Sequence, residues 1–261
     1  MDRSRLAAFG GGAVIGTLGG LIGLGGAEFR LPLLIGSFRF AALEAVILNK
    51  AMSLVVVAAA LVFRTRIISM ETVASHGDII LNILAGSMAG AWFGAGWAMR
   101  LQSEGLYRII AVLLVVIAGA LLFGHDAAGQ GQPLFAGSIL IGAGVLAGFA
   151  IGIVASLLGV AGGELLIPAL VLLFGLDIKL AGSLSLVISL PTMIVGFSRY
   201  TQDASFAVLG SNRTFMTVMA AGSLIGAFVG GMLLGLAPSA VLLPLLTGML
   251  LISAVKVWRH S

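Results

Sequence analysis

Long apolar segments separated by short polar connections make up nearly the whole chain. Backbone polar groups in a bilayer must satisfy their own hydrogen bonds, so such segments are expected to be helices. A full crossing takes about 20 residues. The sequence therefore predicts an all-α polytopic membrane protein. Its segments are Leu6–Ile22, Phe29–Phe38, Ala41–Phe63, Ile79–Met99, Leu106–Phe123, Leu134–Leu158, Leu165–Leu176, Leu180–Phe197, Thr214–Leu236 and Ser239–Trp258.

Composition excludes several classes of protein. Of the 261 residues, 60% are hydrophobic and 9% are charged, which is far from a soluble domain. Without cysteine there is no disulfide framework, thiol nucleophile or cysteine-ligated metal, and the three histidines are scattered. We therefore expect neither a metal nor a cofactor. The net charge of +4 lies mainly in short loops and at the termini, which indicates membrane topology rather than nucleic-acid binding.

The chain matches itself without a gap at an offset of 136 residues. The segment GLGGAEFRLP, which ends at Pro32, lies over GVAGGELLIP, which ends at Pro168. Glu28 falls on Glu164 in this comparison. The match predicts one membrane domain built from two five-segment repeats, residues 1–124 and 134–261, joined by a connector at 125–133.

The distribution of basic residues favours inverted repeats. Arg3 and Arg5, the loop from Arg100 to Arg108, and the carboxyl-terminal Arg259 are basic, whereas the connector carries no Lys or Arg. If the basic segments are cytoplasmic, both termini are cytoplasmic and each half crosses the membrane an odd number of times. An uninterrupted helix from Leu6 to Gly36 would give an even number and break this arrangement.

Each glycine-rich motif predicts a broken helix pair, because the apolar segment that follows it is too short to cross the membrane. Breaks at membrane depth, related by a repeat, indicate a transporter binding site. Glycine lets the backbone leave the helix, and the next helix points its positive end at the break, where a small anion can bind. The alternative is that the glycines only permit close helix packing. The candidate substrate-binding glycines are Gly25, Gly26, Gly162 and Gly163.

Glu28 and Glu164 are candidate proton-coupling residues, because an ionisable group inside a membrane segment is functional by default. The alternative is structural: each carboxylate satisfies N–H groups at the start of its own helix. A carboxylate also repels an anion unless it is protonated, which disfavours direct substrate contact by both residues.

Two polar stripes at helical spacing are candidate walls of the binding site. Asn49 and Ser53 are four residues apart, as are their counterparts Ser185 and Ser189. Lys50 adds a positive charge to the first stripe. The alternatives are interhelical hydrogen bonding for the Ser and Asn side chains, and snorkelling to the interface for Lys50.

Two further features have simpler interpretations. Arg30, whose counterpart is Leu166, is expected either to pair with Glu28 or to face the interface. The glycines that recur every four residues are expected to serve close packing. They are Gly86, Gly90, Gly94, Gly222, Gly226 and Gly230.

The duplicated glycine motif with its downstream proline resembles that of the TauE/SafE sulfite exporter family, also called TSUP transporters. Ala27 and Ala161 each replace one glycine of the family pattern. The resemblance covers nearly the whole chain. It implies a multi-pass carrier of the bacterial inner membrane that exports sulfite or a small organosulfonate.

The leading hypothesis is a secondary transporter of a small anion, working by alternating access around the two breaks, and not an enzyme. No Walker motif is present, so ATP is not the expected driving force. One alternative is an intramembrane enzyme that uses Glu28 and Glu164 as a carboxylate pair. Another is a membrane scaffold without transport. The expected partners are the anion and the lipid bilayer, and the oligomeric state stays open.

Overall fold

The computed structural model describes residues 3–22, 26–64, 70–123, 133, 135–176, 178–233, 248, 251–252, 254–255 and 257–259. No strand occurs in these ranges, and a single 3-10 turn spans Ala204–Ala207. The helices are α1 Arg3–Ile22, α2 Ala27–Gly36, α3 Ala42–Arg64, α4 Met70–Ala74, α5 Gly77–Arg100, α6 Ser103–Phe123, α7 Gly137–Leu158, α8 Gly163–Phe174, α9 Ile178–Tyr200, α10 Val208–Ser211 and α11 Arg213–Leu233.

The predicted all-α polytopic membrane fold is confirmed. Five of the described helices are long and apolar enough to cross a membrane, namely α3, α5, α7, α9 and α11. Helix ends lie within about three residues of the predicted segment ends in most cases, and the short α4, α10 and 3-10 turn were not predicted. Most of the connector 125–133 and of the segment Ser239–Trp258 lies outside the described residues.

Helices of the first half and second half correspond at the offset of 136 residues. Shifting Ala42–Arg64 (α3) by this offset gives Ile178–Tyr200, the bounds of α9. The start of α2, Ala27, falls on Gly163, the start of α8. The shifted α1 and α5 overlap α7 and α11 in the same way.

Glycine contacts are equivalent in the two most extensive interfaces, α1 with α11 and α5 with α7. A Cβ on Gly12 of α1 would overlap the carbonyl oxygen of Met219 on α11. A Cβ on Gly148 of α7 would overlap the carbonyl oxygen of Ile83 on α5. Gly148 is the counterpart of Gly12, and Met219 is the counterpart of Ile83, each at the offset of 136 residues. The first helix of each half, α1 or α7, therefore packs on the equivalent helix of the other half, α11 or α5.

The glycines of α5 and α11 complete these two interfaces. Their backbones lie so close to α7 and α1 that a Cβ would overlap a backbone carbonyl. The predicted packing role is confirmed for Gly86, Gly90, Gly222 and Gly226.

Each glycine break turns the chain back on itself. Gly26, next to the start of α2, lies against Ile15 of α1, whereas Leu33, near the end of α2, lies against Gly11. Helix α2 therefore runs antiparallel to α1. Helix α3 reverses the direction again, because Asn49 bonds the Ala27 carbonyl at the start of α2. Thus α1 and α3 run in the same direction.

Helix α3 also runs antiparallel to α7. Along α3, Val46 lies against Gly159, Asn49 bonds Leu158 and Lys50 bonds Ala155. The order of contacts is reversed in α7. The corresponding helices α1 and α7 therefore run in opposite directions, which is the relationship that an inverted repeat requires.

Apolar side chains cover the outer surface, and polar side chains lie inside. Leu146 of α7 is 70% exposed and Phe228 of α11 is 58% exposed, whereas Arg30 and Lys50 are fully buried. In water the reverse distribution would be stable. The distribution fits an outer surface that contacts lipid and an interior that contains polar and charged groups.

Candidate functional site

Left-handed glycines produce the two breaks. Gly26 has φ 71° directly before α2, and its counterpart Gly162 has φ 79° directly before α8. A side chain with a Cβ is strained in this conformation, so glycine ends one helical path and lets a second begin at a new angle. Gly163 is the first residue of α8. Gly25, the remaining predicted glycine, lies outside the described residues.

A single side chain connects the two breaks. The Asn49 Nδ2 atom donates to the Ala27 carbonyl at 3.0 Å and to the Leu158 carbonyl at 3.1 Å. Ala27 begins α2, and Leu158 ends α7. The two carbonyl oxygens therefore lie within about 6 Å of each other, and the breaks of both halves meet at α3.

Arg30 lies beside Asn49 and forms the centre of a polar cluster. Its Nε donates to Asn49 Oδ1 at 2.8 Å, its Nη2 to Ser53 Oγ at 2.6 Å, and its Nη1 to Ser223 Oγ at 3.2 Å. Arg30, Asn49, Ser53 and Ser223 are called the Arg30 cluster below. Arg30 is fully buried, so the expectation that it faces the interface is wrong.

Every described hydrogen bond of the Arg30 guanidinium goes to a neutral oxygen. Its acceptors are hydroxyl groups and an amide carbonyl, with the Asn49 backbone carbonyl at 3.5 Å. No hydrogen bond joins it to Glu28, the other partner considered from the sequence. The Glu28 carboxylate acts on this guanidinium through its charge and not through a hydrogen bond, so the donors of Arg30 can exchange their neutral acceptors for an anion.

Glu28 lies two residues from Arg30 in the first turn of α2 and is 2% exposed. Neither carboxylate oxygen has a hydrogen-bond partner among the described residues. The backbone of Glu164 occupies the equivalent place in α8, and its side chain lies outside the described part of the structure.

Lys50 points away from the lipid and towards the end of α7. It is fully buried, and its Nζ donates to Ser156 Oγ at 3.2 Å and to the Ala155 carbonyl at 3.4 Å. The snorkelling alternative is therefore wrong. The last carbonyls of a helix carry partial negative charge, so the ammonium caps α7 favourably. On its other side the ammonium lies against Gly196 of α9.

The equivalent residues of the second half form fewer polar contacts. Ser185 Oγ donates to the Gly182 carbonyl of its own helix at 2.9 Å. Ser189 Oγ is buried and has no partner. Leu166 and Leu186 stand where the first half has Arg30 and Lys50. Both described positive charges of the site thus come from the first half, and no described hydrogen bond links Ser185 or Ser189 to the Arg30 cluster.

Sequence reasoning did not assign Arg30 and Ser223 to the site. The one sequence signal for Arg30 was its charge inside a short apolar segment. That signal does not identify its hydrogen-bond partners, because they lie on other helices. Ser223 is 193 residues from Arg30 and sits within a run of small residues. The role of Ser223 emerges only when α11 packs against α1 and α3.

Metal chemistry finds no support among the described residues, which contain no group of three or more His, Cys, Asp and Glu side chains able to hold an ion. A positive charge, neutral hydrogen-bonding groups and the amino-terminal end of α2 lie together at the point where the two breaks meet. These groups suit a small anion.

The family described as "Sulfite exporter TauE/SafE" matches residues 8–257, which is nearly the full chain. No curated protein and no solved structure matches the chain at a significant level.

Proposed function

Because the chain belongs to the TauE/SafE sulfite exporter family, and is therefore a membrane transporter, we propose that it exports a small anion, either sulfite or an organosulfonate. Transport proceeds by alternating access, with the two halves acting as inverted repeats around one site. The protein resides in the bacterial inner membrane, and both of its termini are cytoplasmic.

One observation carries this proposal: the buried guanidinium of Arg30 lies at the meeting point of the breaks and is bonded only to neutral oxygens. Arginine presents several donors in a plane, which suits an oxyanion of sulfur. During transport the anion takes the place of one or more of the hydroxyl acceptors. Exchange of one set of hydrogen bonds for another keeps the guanidinium satisfied throughout.

The other proposed ligands surround this charge. Backbone N–H groups at the breaks and side chains of the two polar stripes complete the site, and Lys50 supplies a second positive charge. The proposed set is Gly25, Gly26, Asn49, Lys50, Ser53, Gly162, Gly163, Ser185 and Ser189, with Arg30 added.

Glu28 and Glu164 are the proposed proton-coupling residues. An ionised carboxylate that is buried without a hydrogen-bond partner is costly, as at Glu28. Binding of a proton removes that cost, and so does approach of a cation in another conformation. A carboxylate near Arg30 that gains and loses a proton would change the affinity of the site for an anion.

The test is flux of radiolabelled sulfite in proteoliposomes that contain the purified protein, with and without a pH gradient. We expect saturable flux that increases with the gradient. In Glu28→Gln, flux should persist and lose its dependence on the gradient. Glu71→Gln is the matched control, since Glu71 is an exposed carboxylate on the short helix α4.

Two results would contradict parts of the proposal. Gradient dependence that survives in both Glu28→Gln and Glu164→Gln would remove the proton-coupling role and leave the carrier intact. Absence of flux for sulfite, sulfonates and carboxylates, with folded protein in sealed liposomes, would overturn the anion carrier itself.

A further inference from the structure

Arg39 adopts a backbone conformation that its counterpart leaves to glycine. Its φ is 58°, and no other non-glycine residue in the described ranges has a positive φ. The residue 136 positions later is Gly175, with φ 68°, which caps the end of α8. Each half thus has a residue with left-handed backbone conformation after its short helix, α2 or α8. The first half places arginine there, although glycine would relieve the strain.

Strain at a residue that could be glycine suggests that the side chain is retained for a purpose. The Arg39 side chain is exposed, and none of the described residues forms an ion pair or hydrogen bond with its guanidinium. The carboxylate of Glu44 accepts the Ala41 N–H and acts through its charge on Tyr107, and it forms no described bond with Arg39. The positive charge of Arg39 is therefore available to a ligand.

Arg39 lines a cleft of about 340 Å³. The cleft lies where α2 ends and α6 begins, and it is lined by Ile35, Gly36, Arg39, Phe40 and Tyr107. Helix α2 connects it to the Arg30 cluster, since Arg30 is in the first turn of that helix and Gly36 is its last residue. At about 1.5 Å per residue, the two positions are roughly one nanometre apart along α2.

We propose that Arg39 and this cleft form an outer docking site for a small oxyanion of the sulfite or sulfonate type. The site lies on the face that carries the Arg3 and Arg100 helix ends. The proposal rests on the proposed function, because it makes this cleft the first station of the transported anion before the Arg30 cluster. A cation at the mouth of a site raises the local concentration of an anion.

A labelling experiment tests docking independently of transport. The chain has no cysteine, so Gly36→Cys places a unique thiol in the cleft. We compare its rates of modification by a sulfonate-bearing and by a trimethylammonium-bearing methanethiosulfonate reagent. Adding Arg39→Gly should slow the anionic reagent about fivefold and leave the cationic reagent unchanged or faster. Ethanesulfonate, which does not react with the thiol, should slow the anionic reagent only when Arg39 is present.

Transport and stability provide the second measurement. Arg39→Gly should raise the KM for sulfite several-fold without lowering Vmax, and its melting temperature should be unchanged or higher. Arg39→Lys should lie between Arg39→Gly and the parent protein. The control is Arg100→Gln, which removes a charge at the end of α5 and should leave both the KM and the labelling ratio unchanged.

Three results would overturn the proposal. Equal labelling ratios with and without Arg39 would show that the cleft does not attract anions. A lower melting temperature for Arg39→Gly, with an unchanged KM, would assign Arg39 a structural role. Loss of the Arg39 effect when anionic lipid is added would show that a lipid phosphate is the ligand. If labelling supports the site and sulfite flux is absent, the proposed function fails and the docking site stands.

Discussion

The side-chain amide of Asn49 on α3 donates a hydrogen bond to the carbonyl of Leu158, the last residue of α7, at 3.1 Å. Carbonyls at the end of a helix have no partner within the helix, and in a membrane water does not supply one. The same amide bonds Ala27 beside the first break. One side chain thus bonds a backbone carbonyl at each break and ties both breaks to α3.

Replacing Asn49 with leucine should destabilise the protein and abolish flux. Asn49→Leu leaves the Leu158 carbonyl and the Arg30 Nε without this partner, and it removes the bond from α3 to the Ala27 carbonyl. Each buried polar group that loses its partner costs about 1–3 kcal/mol. The measurement is the thermal melting temperature in detergent, which should fall by several degrees, together with sulfite flux in proteoliposomes.

Ser185→Ala is the control for Asn49→Leu, since Ser185 occupies the equivalent position and bonds only a carbonyl of its own helix. We expect a change in melting temperature of no more than about 1 °C, because this bond bridges no helices. Equal losses of stability in the two variants would contradict the bridging role of Asn49.

The glycine contacts of the two large interfaces predict a matched pair of stability effects. In Gly148→Ala the new methyl group would overlap the Ile83 carbonyl, so α5 and α7 must separate. Overpacking of this kind costs about 1–3 kcal/mol. Gly12→Ala should cost a similar amount in the interface of α1 with α11, because Gly12 lies against Met219 in the same way.

Each of these variants has a control on its own helix. No atom of the described residues lies within 4 Å of a Cβ built on Gly142 or on Gly10. Gly142→Ala and Gly10→Ala should therefore raise the melting temperature slightly, since alanine favours a helix over glycine. If all four variants melted alike, the close approach of the helices would be refuted.

The sequence predicted the positions of the breaks because their cause is local. Gly26 and Gly162 occur in repeated motifs, and the conformation that ends each helix requires little more than glycine at that position. The polar stripe of Asn49 and Ser53 was also predictable, because helical spacing places residues four apart on one face. Both of these residues bond Arg30.

Long-range partners were not predictable in the same way. The direction of the Lys50 side chain depends on the position of the α7 end, and the partner set of Arg30 depends on the approach of α11. Neither is a property of local spacing. The repeat also gives no guidance at these two positions, since their counterparts, Leu166 and Leu186, carry no charge.

Arg30 should be indispensable for anion flux. Arg30→Leu, which copies the residue of the second half, removes the buried charge and leaves the Asn49 and Ser53 acceptors without their donor. In the transport complex Arg30 and the bound anion form a buried charge pair. Truncating one member of such a pair costs about 2–5 kcal/mol, so flux at low sulfite should fall at least about 30-fold. Arg30→Lys keeps the charge and loses the planar array of donors, and should retain partial activity with a raised KM.

Leu166→Met is the control for Arg30→Leu, because it changes the equivalent position without altering charge. It should transport at nearly the parental rate, since a swap of similar volume costs less than about 1.5 kcal/mol. If Arg30→Leu remained folded and transported sulfite with an unchanged KM, Arg30 would not bind the substrate.

Lys50 should matter for transport and not for folding. A buried charge without an ionised partner costs free energy, so Lys50→Met should leave the melting temperature unchanged or raise it. Its flux at low sulfite should fall about tenfold or more if the ammonium contributes to anion binding.

Tyr200→Phe is the matched control, because it removes a neutral hydrogen bond to the Ser156 carbonyl in the same region. A large loss of stability in Lys50→Met, with flux per folded molecule unchanged, would make Lys50 a structural cap of α7 and exclude it from the binding site.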